Sequence, residues 1–222
     1  MMTPIEMIRA TGACDSSVQW VEARPDCTLA ELWDECPRGD WLLWLAVRAG
    51  VDRRLVVLAA CDCAALALAH VPAREQRPRV AIETARRWAR GESTVEEVRA
   101  AAGDAEDACF DATPNYSAAL AAVAAHSAAL VDYDTIDAVD VSCAARDAAC
   151  AVYAASRLAH EVTLARCADI VRARIDAATI VAALAARTDL IAEPHLDGCG
   201  AAPSGERDST LGAAPPRRSM QR

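Results

Sequence analysis

A chain of 222 residues with 54% apolar side chains and a net charge of −9 can bury one sizeable core, and its acidity excludes the whole-surface attraction to phosphate that nonspecific nucleic-acid binding needs. The first residues carry no basic stretch followed by an apolar run, and the most apolar segment is too short and contains Asp62, so neither secretion nor membrane insertion is expected. Ten cysteines in a chain of this size, most of them inside predicted helices, read as reduced thiols in a cytosol.

Two short helices are predicted within residues 4–23, PIEMIRA and SSVQWVEA, separated by the turn-prone TGACD. Thr28 followed by Glu31 fits a capping box opening TLAELWDEC, which Pro37 and Gly39 end. Asp40 is expected to cap the next helix, WLLWLAVRA. Its consecutive Trp41, Leu42, Leu43, Trp44 and Leu45 are too many for one face, and Gly50 supplies its terminator. From Asp52 to His70 the chain reads as a helix apolar around nearly its whole circumference, past Arg54 interrupted only by Asp62 and His70; a helix of that kind has to be surrounded by others.

Pro78 sits in the first turn of the following helix, RVAIETARRWAR. Val80, Ala81, Ile82, Ala85, Trp88 and Ala89 are expected on one side and Glu83, Arg86, Arg87 and Arg90 on the other, with Glu83 and Arg87 at pairing distance. Gly91 stops it. Thr94 with Glu97 forms a second capping box, and Val95, Val98, Ala102, Ala105 and Cys109 form a stripe. Beyond Pro114 the chain is alanine-dominated, with strong helix propensity and little side-chain volume, so closely spaced antiparallel helices are predicted, with Leu164, Ala168, Val171 and Ile175 buried. The expected architecture is all-α: an irregular multi-helix bundle around a central buried helix, one domain over residues 1–191 and a disordered tail over 192–222.

Few residues carry chemistry. Asp62 amid Leu55, Leu58, Leu66 and Ala69 needs a partner; a buried Asp–Arg or Asp–Trp hydrogen bond that fixes helix register is the simpler reading, a general acid or base the sharper one. Cys61 and Cys63 point opposite ways on a helix, while Cys63/His70, Cys143/Cys150 and His160/Cys167 each stand seven apart, roughly 10 Å along a helix, too far to share one zinc unaided. Asp132, Asp134, Asp137 and Asp140 lack the turn glycine and terminal glutamate of a calcium loop. His126 and His160 have no evident nucleophile beside them, so no metal, cofactor or catalytic residue is expected. All 23 basic residues are arginine, and their one local concentration is Arg74, Arg77 and Arg79 followed by Arg86, Arg87 and Arg90; this face, with Glu83, is either a solvated surface or a docking site for an acidic partner.

The stretches ECPRGDWLLWLA, LVVLAACDCAALALAHVP and RPRVAIETARRWARGESTVEEVRAAA resemble a family of immunity proteins associated with bacterial polymorphic toxin systems and with phage genomes, over roughly residues 30–110. The resemblance implies an all-α cytoplasmic protein that neutralises a toxin by direct binding, with no catalytic motif to carry over. The alternative is a phage-encoded accessory or structural protein that assembles with itself, and an enzyme centred on Asp62 ranks last.

Overall fold

In the computed structural model, which describes residues 2–112, 115–129, 138–153 and 157–187, every regular element is helical. The organising element is α5 (Arg53–Ala65), whose Val56, Val57, Ala59, Ala60, Cys61, Cys63 and Ala64 are buried. It packs against α4 (Gly39–Ala49), α6 (Arg77–Ala89), α8 (Tyr116–Ala128), α9 (Ala138–Tyr153) and α10 (Arg157–Arg174). The expected single helix to His70 is corrected: it tightens into a 3-10 turn at Leu66–His70, which brings Val71 back into the core and lets the chain reverse into α6. Around this centre stand α1 (Pro4–Ala10), α2 (Asp15–Glu22), α3 (Leu29–Glu35), α7 (Val95–Asp111) and α11 (Ala177–Ala186).

Local chemistry places the ends. Thr3 with Glu6, Thr28 with Glu31 and Thr94 with Glu97 each form a full capping box. Gly50 and Gly91 close α4 and α6 in the left-handed conformation that side chains rarely adopt. Asp40 does not cap α4. The helix starts at Gly39, whose missing Cβ lets it lie directly on α10; a Cβ there would stand 2.4 Å from the Cβ of Cys167. Asp40 is thereby drawn inside the first turn, buried, and takes both N–H groups of the Arg38 fork at 2.9 and 2.6 Å.

The alanine-rich half packs as its composition requires. Ala121, Ala124 and Ala125 of α8 and Ala144, Ala145 and Ala148 of α9 are all essentially inaccessible to solvent, and among the described residues these two helices share the most extensive helix–helix contact. Leu164, Ala168, Val171 and Ile175 are fully buried along α10. Val80 is corrected: it is 50% exposed, because helical pitch puts it on the far side of α6 from Ala81, Ile82, Ala85 and Ala89. Among the described residues no helix is long and apolar enough to cross a membrane. The expected tail and the Asp132, Asp134, Asp137 cluster lie outside the described residues, as does the side chain of Asp140.

Candidate functional site

The outward face of α6 is held in place by ion pairs rather than left as loose charge. Arg86 donates through Nη2 to Asp62 Oδ1 at 2.8 Å, and Arg174, from α10, donates through Nε and Nη2 to Asp62 Oδ2 at 3.0 and 2.7 Å. One carboxylate on α5 therefore ties together three helices, each of its oxygens serving one guanidinium. Asp62 is not sealed in the core as expected. Its side chain is 23% exposed, because α5 turns this one position toward the seam between α6 and α10, where the two arginines reach over it. The Asp–Arg pairing that fixes helix register is thus present at the edge of the core.

One turn along, Arg90 donates to Glu92 at 3.0 Å and to Glu83 at 3.2 Å, and Glu83 also stands 3.9 Å from Arg86. The expected Glu83–Arg87 pair does not form. Gly91 turns the chain so that the carbonyl of Glu92 comes under Arg87, which donates to it at 2.9 Å. The bonds from Glu92 and Glu83 hold the Arg90 guanidinium more firmly protonated than usual. Arg77 grips Glu75 with two bonds and reaches Asp111 at 2.9 Å, while Arg79 donates to the carbonyl of Leu68. Glu83, Arg87 and Arg90 are exposed and Arg86 half-buried, so the face offers guanidiniums in set orientations with their outer edges toward solvent.

The thiols divide by depth. Cys36, Cys61, Cys63 and Cys167 are buried, and burial pushes Cys61 up to about 12 and Cys36 to about 11. Cys63 lies against Cys167 of α10 rather than His70, and Cys150 stands 3.8 Å from His160 Nε2. His126 is bonded through Nδ1 to the carbonyl of Ala102. Among the described residues no three His, Cys, Asp or Glu side chains converge as a metal site would need.

A second feature has no counterpart among the sequence expectations. A cavity of about 480 Å³ lies between the α1–α2 hairpin, α3, α4 and the start of α9, and four of the five tryptophans line it: Trp20, Trp33, Trp41 and Trp44. Trp41 and Trp44, three apart on a helix, share a face. That spacing is the one signal that could have found the cavity from sequence; the convergence of Trp20 and Trp33 on it is a tertiary fact.

The described residues form an all-α bundle whose arginine-bearing α6 face is tied by ion pairs to its own loop, to α5 and, through Asp62, to α10. Residues 49–175 match the family model described as Imm-5 like putative immunity protein, and the chain belongs to that family. No curated protein and no solved structure matches it. The match spans more of the alanine-rich half than the resemblance over roughly residues 30–110: it begins at the last residue of α4 and runs on to the end of α10. Asp62, Glu83, Arg86, Arg87, Arg90 and Arg174 all fall inside it. Of the residues lining the cavity, only Ser142 and Arg146 do.

Proposed function

We propose that this protein works in the cytoplasm as an immunity-like inhibitor that neutralises a toxin by binding it, and that the α6 face bearing Glu83, Arg86, Arg87 and Arg90 is part of the docking surface. The observation that carries the reading is the coincidence of two things: the family match spans this face, and the face presents guanidiniums already fixed by Asp62, Glu83 and Glu92. An arginine whose rotamer is set before contact loses less entropy on binding a carboxylate or a backbone carbonyl, and its planar fork gives register. The family's immunity-like role favours a protein partner over a substrate. No reaction is proposed for Asp62, whose two oxygens serve Arg86 and Arg174.

The test is co-expression with a toxin domain, where one is found encoded next to its gene, followed by size-exclusion chromatography and calorimetry of the purified pair. A 1:1 complex with nanomolar Kd supports the reading. Arg87→Glu/Arg90→Glu should weaken it at least tenfold, the loss expected when like charge meets an interface selected for the opposite sign. Arg86 is left intact in this variant because its bond to Asp62 serves the fold. A purified toxin that neither binds nor loses activity in the presence of the protein would refute the proposal, and a complex indifferent to the double reversal would move the docking surface elsewhere.

A further inference from the structure

The aromatic cavity is a different site from the α6 face and is independent of the partner reading. About 480 Å³ lined by indoles stands partly open to solvent between the α1–α2 hairpin, α3, α4 and the start of α9. Its origin is in the chain: α1 and α2 pack chiefly on one another, linked by an Arg9–Glu22 ion pair, and arch over α4 without filling the space beneath. The volume also decides what class of occupant fits. It falls in the roughly 300–1,000 Å³ range of sites that enclose a whole small molecule, and one added aromatic side chain takes up enough of it to compete with such a ligand.

The polar groups narrow the ligand further. Arg24 stacks on Trp20 at 4.1 Å, Arg38 on Trp41 at 4.6 Å and Arg48 on Trp44 at 6.0 Å, so three of the four indoles already carry a cation on one face, and a cationic ligand would meet like charge. The charge of Arg38 is answered by its two bonds to Asp40. Asp15, at the mouth, is exposed. Arg146 also lines the cavity: its Nη2 donates to Cys143 Sγ at 2.6 Å, its Nε stands 3.8 Å from Asp147, whose carboxyl burial pushes up, and with its side chain 45% exposed the rest of its guanidinium fork is open to an anion. We propose that this cavity binds a small flat apolar carboxylate, its ring system against Trp20, Trp41 and Trp44 and its carboxylate on Arg146.

Two isosteric probes test this on the full chain, 2-naphthoate and 2-naphthalenemethanol, followed by tryptophan fluorescence and calorimetry. Saturable 1:1 binding of both is expected, with the carboxylate about tenfold tighter, as a charge-assisted hydrogen bond in a partly enclosed site provides. Arg146→Gln should erase that preference and leave the affinity for the alcohol unchanged. Ala13→Phe and, separately, Ser16→Phe should weaken both probes at least tenfold while leaving the unfolding midpoint in place; should one of them fail to fold, the other decides. Absence of saturable binding up to millimolar probe, equal affinity for the two probes in the wild type, or binding that survives a folded filling variant would each overturn the proposal. Toxin neutralisation by the Phe variants is expected to be unaffected, which separates this site from the α6 face.

Discussion

The region up to Gly50 and the α8–α9 pair solve the same packing problem with opposite materials. The first uses four tryptophans and a run of leucines on short helices, and ends with one indole fully buried, three half-buried and a cavity between them. The second uses alanine, whose side chain adds only about 0.8 kcal/mol per buried methyl-sized group, and recovers the difference through close approach and many contacts. Bulky side chains hold elements at a distance and leave shape behind, whereas small ones leave none. The family match, residues 49–175, covers α8–α9 together with α5–α7.

The sharpest way to break this contrast is to remove the indole that anchors the aromatic side. Trp33 is 2% exposed and donates through Nε1 to the carbonyl of Ile175 at 3.1 Å, pinning α3 against the end of α10. Trp33→Ala should cost about 3–5 kcal/mol in urea unfolding, since a large void and an orphaned carbonyl are created together. Gly39→Ala probes close approach of the kind that governs the alanine side. The new Cβ would meet the carbonyl carbon of Cys167 at 2.6 Å and the nitrogen of Ala168 at 2.7 Å, and backbone cannot step aside as a side chain tip can. The gain of about 1 kcal/mol in helix propensity is outweighed, and a net loss of about 1–3 kcal/mol is expected by thermal or urea melting.

Smaller effects sharpen the picture. Asp62→Asn leaves Arg86 and Arg174 facing one another across a neutral amide, at a site partly open to water, and should cost about 1 kcal/mol or less. A loss of several kcal/mol would mean that the seam, rather than the core, holds α6 and α10 to α5. On the alkaline side the buried thiols give the pH dependence one sign. Cys61 and Cys36 have folded pKa values raised to about 12 and about 11 from an ordinary 9.0, so their contribution is whole below about 9 and is lost as pH rises toward the folded values. With no lysine in the chain, this window is shared with three tyrosines and the other eight cysteines, of which Cys27, Cys63, Cys109 and Cys150 are shifted in the same direction, and urea midpoints between pH 8 and 10.5 should fall with pH. A flat profile would contradict the burial of these thiols.

Much of this architecture was readable one helix at a time. The capping boxes at Thr28 and Thr94, the stop at Gly50, the two-sidedness of α6 and the buried stripe Leu164, Ala168, Val171, Ile175 all follow from short-range spacing. What was hidden depends on partners far away in the chain. Asp62 meets Arg174 across 112 residues, and no local pattern says which arginine arrives. Arg87 lost its predicted glutamate to a carbonyl because the turn at Gly91 competes with the helix face. The cavity was invisible for a related reason: composition shows how much aromatic volume there is, but only the arrangement of short helices shows how much of it fails to interlock.

The most direct test of the central claim is survival. Cells expressing a toxin domain, where one is found encoded next to this gene, should grow when the wild-type protein is co-expressed, and growth should fall sharply with Arg87→Glu/Arg90→Glu at equal protein level and unchanged unfolding midpoint. Cells that die alike with and without the wild-type protein would contradict the immunity-like role, and full rescue by the double reversal would contradict the α6 face as its docking surface.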